Sequence, residues 1–329
     1  MPRPQLLLLS RQGHASLRPA HWERLSELAD VRAVAMNGAP GPAEAAAMLA
    51  SMDLLGATNV CLPRLDDELL DRAPRLRGVV LYATGHDHID TDLLARRGVG
   101  LSVLPDYATI SVAEQTIALI LSLATRLHLA NDRARGRVEP GVSLRGVELA
   151  GRTLGVVGLG RIGRAVADRG RMLGMRVVGT DLDPAAAARA GISVLDLREL
   201  LRTADVVALC ASHRYGSGPV IGAAELAVMQ PGSYLVNAAR AALVDTGAAV
   251  AALRTGRLRG YGVDDDLNDP AYDDVAREGR LLQTGHSAWW RDETMRKGAE
   301  AWGRHLIAAV QGAPIDVVTW PEPAVSGAG

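Results

Sequence analysis

The chain has 329 residues, a formal net charge of -1 at pH 7, and a composition that is 48% hydrophobic and 22% charged. This length predicts two domains of about 100–200 residues each, and the composition allows both to bury a core. The balanced charge, with no long basic run, gives no reason to expect a nucleic acid or a membrane as partner. The most apolar stretch, 117–124, is also far shorter than the roughly 20 residues that a membrane helix needs.

Cysteine usage and the N-terminus favour a cytoplasmic location. Cys61 and Cys210 are far apart in the sequence and form no CxxC or metal-type spacing. A single disulfide is the alternative, but two buried thiols are favoured because disulfides persist mainly in oxidising compartments. The N-terminal apolar run, LLLL, is too short for a signal-peptide core.

Short aliphatic runs alternate with helical patterns through the first third of the chain. The predicted strands are QLLLLS, VRAVAM, NVCLP, LRGVVLYA and GVGLSVL. The predicted helices are PAHWERLSELAD, PAEAAAMLASM, DDELLDRA and DTDLLARRG. This alternation predicts a parallel sheet with helices on both faces.

A second alternating set follows one long helical pattern, SVAEQTIALILSLATRLHLAND, in which Ser111 is the predicted cap and Glu114 its capping-box partner. The strands predicted after it are TLGVVG, MRVVGTD, ISVLD, DVVALCA, SYLVNAA, GYGVDD and RLLQT. Helices such as RIGRAVADRGRMLG and TGAAVAALRTG separate them. A last helix is predicted from about Asp292 to Gln311, and the tail PEPAVSGAG is expected to be disordered.

A glycine motif lies between a predicted strand and a predicted helix. Gly158, Gly160 and Gly163 form GxGxxG, in which the first glycine permits a tight turn and the second lets backbone approach a pyrophosphate. The third allows close packing of helix on strand, and the helix N-terminus supplies amide donors. A plain strand–helix turn is the alternative, but this context favours a dinucleotide site.

Asp181 ends the next predicted strand, 21 residues after Gly160. A carboxylate at this position can accept the ribose hydroxyls of NAD and would repel the 2′-phosphate of NADP. Because no arginine directly follows Asp181, NAD is the favoured cofactor. The alternative is that Asp181 only begins the turn that continues through Asp183 and Pro184.

Three polar residues follow later predicted strands: Arg240, Asp269 and His286. A guanidinium can clamp a carboxylate and polarise a neighbouring carbonyl. A histidine can move the proton of a hydroxyl, and an acidic partner would orient its imidazole. The alternatives are a surface ion pair for Arg240, a turn role for Asp269 before Pro270, and a loop role for His286.

From about residue 76 to 311 the chain resembles the D-isomer-specific 2-hydroxyacid dehydrogenase family, which also includes formate and phosphite dehydrogenases. The matching stretches are ATGHDHIDTDLLARRGV, SVAEQTIALIL, GRTLGVVGLGRIGRAVADR, LVNAARAALVDTGAAVAALRTGRLRGYGVD and TGHSAWW. The resemblance implies an α/β protein with two Rossmann-like or flavodoxin-like domains, parallel sheets and an interdomain cleft. Residues 1–104 with 292–329 would form the substrate domain, and residues 105–291 the NAD-binding domain.

The resemblance also implies a role for each matching residue. Arg240 would hold the substrate carboxylate and His286 would be the acid/base, while Asp269 stands where the family usually has glutamate. Further cofactor-binding residues would be Gly158, Gly160, Arg161, Ile162, Gly163, Asp181, Ala211, Ser212, Ala239, Asp264 and Val112. The residues expected to contact substrate are Thr84, Gly85, His86, Arg64 and Trp290.

Several features depart from the family pattern. Ala241 replaces the usual glycine after the arginine, Cys210 replaces a common histidine, and His286 comes only 17 positions after Asp269. The segment NVCLPRLDD lacks the Arg-Ser pair of phosphoglycerate enzymes, which argues against 3-phosphoglycerate. Arg64 lies near that segment and could bind another anion.

Two of the five tryptophans, Trp289 and Trp290, follow His286 closely in SAWW. The resemblance implies that they line the substrate crevice and exclude water, and packing at an interdomain hinge is the alternative. His86 and His88 would suggest a metal pair, but no third ligand has a recognisable spacing, so no metal is predicted.

The predicted function is an NAD-dependent oxidoreductase for a small 2-hydroxy acid or 2-keto acid. One alternative is a dehydrogenase for an unusual anion, such as a phosphonate alcohol or phosphite. Another is a nucleotide-sensing corepressor or silent paralogue without turnover. The resemblance further implies a homodimer that forms through the NAD-binding domains, with the SVAEQTIALIL helix at the contact.

Overall fold

The computed structural model describes residues 3–138, 141–189, 191–213, 215–267 and 269–320. The chain divides into two compact units: unit 1 is Met1–Ala108 with Asp292–Gly329, and unit 2 is Thr109–Arg291. The tail that we expected to be disordered lies outside the described residues. The roles assigned to the two predicted domains stay predictions.

The secondary structure of the described residues alternates between strands and helices. The strands are β1 (Gln5–Ser10), β2 (Asp30–Ala35), β3 (Leu54–Thr58), β4 (Gly78–Tyr82), β5 (Gly100–Ser102), β6 (Thr153–Val157), β7 (Arg176–Thr180), β8 (Ser193–Val194), β9 (Val206–Leu209), β10 (Ser233–Asn237), β11 (Leu258–Val263), β12 (Leu281–Gln283) and β13 (Val317–Thr319). The α-helices are α1 (Pro19–Leu28), α2 (Pro42–Leu49), α3 (Asp67–Arg72), α4 (Thr91–Arg96), α5 (Thr109–Thr125), α6 (Leu127–Ala134), α7 (Arg161–Met172), α8 (Pro184–Arg189), α9 (Leu197–Thr203), α10 (Ala223–Val228), α11 (Thr246–Arg254), α12 (Asp273–Arg277) and α13 (Asp292–Val310). Short 3₁₀ helices cover Gly13–Ser16, Asn59–Cys61, Ala241–Leu243 and Pro270–Tyr272.

The sheet of unit 1 has the order β13-β5-β4-β3-β1-β2, and its ladders are parallel except for β13, which runs antiparallel to β5. Side chains of β1 alternate between the two faces, so Leu7 and Leu9 join one core and Leu6 and Leu8 the other. Helix α13 covers the second face, where the buried Trp302 indole donates to the Val80 carbonyl at 3.1 Å.

The sheet of unit 2 is fully parallel, in the order β12-β11-β10-β9-β6-β7-β8. From β6 the chain builds outward to β7 and β8, then returns to the other side of β6 to form β9. Such a reversal opens a crevice at the carboxyl ends of the strands, where open α/β sheets bind ligands. The two sheets confirm the predicted fold class, α/β with parallel sheets of the Rossmann-like type.

The predicted strand NVCLP is wrong. Asn59–Cys61 forms a 3₁₀ turn, and the strand lies upstream at Leu54–Thr58, between β1 and β4. The upstream segment is buried from Leu54 to Ala57, whereas Val60 is half exposed. The position of this strand therefore follows the segment that is buried on both faces of the sheet, and not the β-branched residue Val60.

The single long helix predicted for residues 111–132 is also wrong. Arg126 adopts φ 59°, a left-handed conformation that ends α5 and starts α6. Helix α5 begins at Thr109, so Ser111 lies within it and cannot cap it, and Glu114 instead pairs with Arg169 at 3.4 Å. Among the described residues no single helix passes a length and apolarity test for crossing a membrane, and α5 and α6 pass only as a pair bent by 63°.

Candidate functional site

The glycine motif connects β6 to α7 at the reversal of the unit 2 sheet. Gly158 has φ +94°, and a Cβ there would lie 2.6 Å from the Ala211 nitrogen. A Cβ on Gly163 would lie 1.9 Å from the Gly158 carbonyl oxygen. At Gly160, by contrast, a Cβ would meet no atom within 4 Å. The first and third glycines therefore serve the protein's own packing, while the second leaves backbone open to a ligand, as a bound pyrophosphate requires.

Asp181 lies beside this turn, as its position after β7 predicted. Its Oδ2 accepts a hydrogen bond from the Leu159 N–H at 2.5 Å, and its Oδ1 accepts one from the Asp183 N–H at 2.8 Å. Arg161 is exposed at the start of α7, and the neighbouring Ile162 is partly buried. The open glycine, the helix N-terminus and the carboxylate together fit the pyrophosphate and ribose of NAD.

The end of β9 forms the other side of the turn. The Cys210 N–H donates to the Val157 carbonyl at 2.7 Å, and Ala211 follows against Gly158. Burial raises the pKa of the Cys210 thiol to about 12, so this side chain stays uncharged at neutral pH. Ser212 is exposed beyond it. Both cysteines of the chain are free thiols.

Arg240 lies in a loop after β10 that a buried asparagine shapes. The Asn237 amide donates to the Arg240 carbonyl at 2.7 Å and accepts from the Ala239 N–H at 3.1 Å. The guanidinium is partly buried and donates to the Ala239 carbonyl at 2.8 Å. The Ala241 N–H donates to Asp265 Oδ2 at 3.2 Å, which links this loop to the one after β11.

Asp264 follows β11 directly and organises the loop that carries His286. Its carboxylate is buried and accepts three hydrogen bonds: from the Thr284 hydroxyl at 2.6 Å, the Ser287 N–H at 2.9 Å and the Ala288 N–H at 2.9 Å. We predicted Asp264 as a cofactor contact, and in this structure its carboxylate oxygens bind the 284–288 loop. Its contact with NAD stays a prediction.

His286 is exposed at the carboxyl end of β12. Gly285 and His286 have φ of 56° and 54°, so two consecutive residues adopt the left-handed region. For a histidine this conformation is uncommon, and such strain tends to occur at functional sites. Trp289 and Trp290 follow with ring centroids 5.3 Å apart, and Trp290 is 59% exposed. The tryptophan pair therefore presents an open aromatic surface close in sequence to the imidazole.

The structure does not place Asp269 against His286. Asp269 is exposed, and its Oδ1 accepts a hydrogen bond from the Ala271 N–H at 2.9 Å, which caps the 3₁₀ helix at Pro270–Tyr272. Within the described part of the chain, the His286 imidazole forms no hydrogen bond or ion pair. The short Asp269 side chain, directly before Pro270, accepts a hydrogen bond from the backbone N–H two residues on, as aspartates in turns commonly do.

The remaining predicted site residues lie elsewhere on the two units. In unit 1, Thr84 follows β4 and its hydroxyl donates to the Leu104 carbonyl at 2.7 Å, while His86 Nδ1 lies 3.3 Å from the Thr84 carbonyl and Gly85 lies between them. Arg64 is 87% exposed in its side chain and pairs with Asp66 at 3.3 Å. In unit 2, Val112 lies in the first turns of α5. No group of three potential metal ligands was found among the described residues, which include His86 and His88.

Three polar residues that shape the site were not singled out from the sequence. They are Asn237, Asp265 and Gln283, whose Oε1 accepts from the Leu267 N–H at 2.9 Å. Each lies within two residues of the carboxyl end of a strand of the parallel sheet, and that position was the available signal.

Comparison with known proteins places the chain in a family. Residues 117–288 match the model of the D-isomer specific 2-hydroxyacid dehydrogenase, NAD binding domain. A glyoxylate reductase of Thermococcus litoralis is 32% identical over 259 residues, which cover 76% of this chain and 78% of that protein.

Solved structures agree with this match. A glyoxylate reductase from Paecilomyes thermophila has a TM-score of 0.84 at 27% identity, covering 97% of this chain and 99% of that one. A D-lactate dehydrogenase from Aquifex aeolicus, solved with NAD and lactic acid, has a TM-score of 0.76 at 27% identity, covering 93% and 96%.

The parallel sheet, the open glycine turn and Asp181 directly after β7 are the features of an NAD-binding α/β domain. The chain belongs to the D-isomer-specific 2-hydroxyacid dehydrogenase family. It is an NAD-dependent dehydrogenase that acts on a CH–OH group.

Proposed function

We propose that the protein interconverts a small 2-keto acid of the glyoxylate class and its 2-hydroxy acid, with Arg240 and His286 at the reacting carbon. The observation that carries this proposal is the strand order in unit 2. Arg240 follows β10 and His286 follows β12, while the intervening strand β11 ends at Asp264, which fixes the His286 loop. Arg240 and His286 therefore lie at the same edge of one sheet, beyond the carboxyl ends of the two strands that flank β11.

Each residue has a separate task in this proposal. Bound NAD would supply the hydride chemistry, with Gly160 and Asp181 as its holding residues and Gly158 shaping the turn between them. Arg240 binds the substrate carboxylate through its planar guanidinium and draws electron density from the neighbouring carbonyl. A ring nitrogen of His286 takes the hydroxyl proton in oxidation and returns it in reduction. The indoles of Trp289 and Trp290 exclude water from this region.

We assign Asp269 the orienting role for His286, by analogy with the glutamate usual at its position. Its Oδ1 caps the turn, and its Oδ2 forms no hydrogen bond among the described residues. That oxygen is available to an imidazolium, and catalytic hydrogen bonds are often long or poorly aligned until a ligand binds. The substrate contacts expected for Thr84, Gly85, His86, Arg64 and Trp290 stay predictions, as do the cytoplasmic location and the homodimer.

An absorbance assay tests the proposal in both directions. Oxidation of NADH is followed with glyoxylate, hydroxypyruvate and pyruvate, and reduction of NAD is followed with the alcohol hydroxymethylphosphonate. We expect turnover of at least one keto acid and none of the phosphonate. His286→Asn keeps a residue that tolerates the left-handed backbone, and it should lower kcat by about 10²–10⁴-fold. Arg240→Gln should raise KM and lower kcat, whereas the matched charge change Arg198→Gln, at an exposed position on α9, should do neither.

Turnover of hydroxymethylphosphonate or phosphite alone would favour the unusual-anion alternative. NADH binding without turnover of any substrate would favour the corepressor or silent-paralogue alternative. The relatives described above, which are named as reductases and dehydrogenases, favour neither.

A further inference from the structure

Unit 2 also contains a polar cavity that the proposed dehydrogenase chemistry does not use. It is an open cavity of about 620 Å³, and four of its lining residues are arginines: Arg126, Arg145, Arg259 and Arg280. Three glycines with Ser143, Val147 and Leu258 complete the lining, and no acidic residue of the described chain lines it. Its volume falls within the range of about 300–1,000 Å³ that is typical of small-molecule sites.

The cavity occupies the edge of the sheet that is opposite the proposed active site. Gly232 directly precedes β10, Leu258 begins β11, and Arg280 directly precedes β12. Because these strands are parallel, their amino ends lie at one edge, and Arg240 and His286 follow the other ends of the same strands. An anion bound here would therefore be separate from the substrate.

The positive charge of the cavity is only partly neutralised. Arg280 pairs with Glu278, whereas Arg126 donates to the Glu278 carbonyl and Arg259 donates to the Arg145 carbonyl at 2.9 Å. No carboxylate of the described residues lies within ion-pair distance of Arg126, Arg145 or Arg259. Three guanidinium groups thus share one region without an acidic partner.

Two buried polar groups beside these arginines also lack partners. Arg126 Nε is buried and donates no hydrogen bond to any described residue. The hydroxyl of Tyr234, a residue that is only 4% exposed, likewise forms no hydrogen bond of acceptable geometry with a described residue. Burial lowers the pKa of Arg126, and Arg259 and Arg280 act in the same direction. Burial raises the pKa of Tyr234, whereas the charges of Arg259 and Arg126 and a side-chain interaction with Arg259 lower it, so this hydroxyl lies beside the arginines of the cavity. Buried polar groups normally find partners, so these point to a ligand.

We propose that this arginine cavity binds a phosphate group, free or carried by a small metabolite. Guanidinium groups match phosphate oxygens in geometry, and a phosphate dianion offers enough acceptors for several of them at once. Arg126, Arg145 and Arg259 bind the phosphate, and the Tyr234 hydroxyl has a charged acceptor within reach. The proposal does not depend on which acid the dehydrogenase converts.

Thermal unfolding of the full chain tests the site, with inorganic phosphate and glycerol 3-phosphate titrated at constant ionic strength set by sodium chloride. A ligand that binds only the folded state raises Tm saturably. We expect such a rise in the wild type, and at least tenfold weaker binding in Arg145→Gln/Arg259→Gln. Arg198→Gln, the same charge change outside the cavity, should bind as the wild type does. A tighter response to glycerol 3-phosphate would identify a phosphorylated metabolite as the source, and equal responses would identify free phosphate.

The single variant Arg145→Gln keeps the test valid should the double variant not fold, because the Arg145 side chain is exposed and makes no hydrogen bond or ion pair among the described residues. It should weaken phosphate binding at least threefold with an unchanged Tm in chloride alone. Saturable binding that is equal in the wild type and the arginine variants, or no saturable binding in the wild type, overturns the proposal.

Discussion

The buried carboxylate of Asp264 accepts a hydrogen bond from the Ser287 N–H at 2.9 Å, one residue beyond His286. The Ala288 N–H reaches the other oxygen of the same carboxylate, also at 2.9 Å. The backbone on the carboxyl side of the imidazole is therefore held by a group 22 residues away in the sequence. Asp264 is in this sense a positioning residue for His286.

Asp264→Asn should lower both stability and turnover. The amide oxygen can replace only one carboxylate oxygen, and the NH₂ group would face an N–H donor, which leaves a buried donor unsatisfied at a cost of about 1–3 kcal/mol. We expect a lower Tm and a fall in kcat larger than the change in KM, since the loop that carries His286 is displaced. Thr284→Val removes a single hydrogen bond to the same carboxylate and should change both quantities less. Wild-type Tm and kcat in Asp264→Asn would refute the positioning role.

Gly160→Ala and Gly163→Ala should separate cofactor binding from folding. An alanine Cβ at position 163 would overlap the Gly158 carbonyl oxygen at 1.9 Å, so this variant should lose stability. At position 160 the Cβ meets open space, so Tm should stay within about one degree while the methyl group obstructs the approach of NAD. Titration of NAD by fluorescence should show at least tenfold weaker binding for Gly160→Ala, and unchanged affinity would contradict the assignment of this turn.

Asp269→Asn tests whether the capping aspartate also serves His286. Asparagine caps helices about as well as aspartate, so Tm should not change. Loss of the negative charge should remove the group that orients the protonated imidazole and reduce kcat at least tenfold. The measurement is a pH profile of kcat for both proteins. Superimposable profiles would limit Asp269 to the turn that it caps.

His305 should make unit 1 sensitive to mild acid. Its Nδ1 lies 3.1 Å from the Ser102 hydroxyl and its Nε2 lies 3.2 Å from Asp316 Oδ2, while the side chain is 3% exposed. Burial lowers the pKa of His305 despite the opposing charge of Asp316. The unfolded chain then binds a proton below about pH 6.5 that the folded chain resists, so stability is present above that pH and is lost as pH falls.

The measurement is Tm between pH 5 and 8. His305→Gln should flatten the decline on the acid side, whereas His14→Gln, at an exposed position of the same unit, should keep the wild-type slope. An identical slope in His305→Gln would show that other groups cause any loss of stability in acid.

Local patterns predicted most of the strands and helices because buried aliphatic runs and helical periodicity are written into short stretches. These predictions failed where contacts with residues distant in the sequence determined the local conformation. The strand predicted at Asn59 lies upstream instead, at Leu54–Thr58, where β1 and β4 bury it. The predicted long helix is interrupted at Arg126, whose left-handed backbone is not indicated by helix propensity. The orienting role that the family pattern gives Asp269 stays a prediction, and in this structure its carboxylate caps a turn.

By itself, the sequence determined the strand–helix alternation, the glycine turn and the carboxylate that follows the next strand, since each depends on spacing within some 20 residues. Only the tertiary structure decided that Asp264 holds the His286 loop and that four arginines from separate segments line one cavity. These relationships join residues far apart in the chain. Sheet order and packing, which bring such residues together, leave no local signature in the amino acids that they unite.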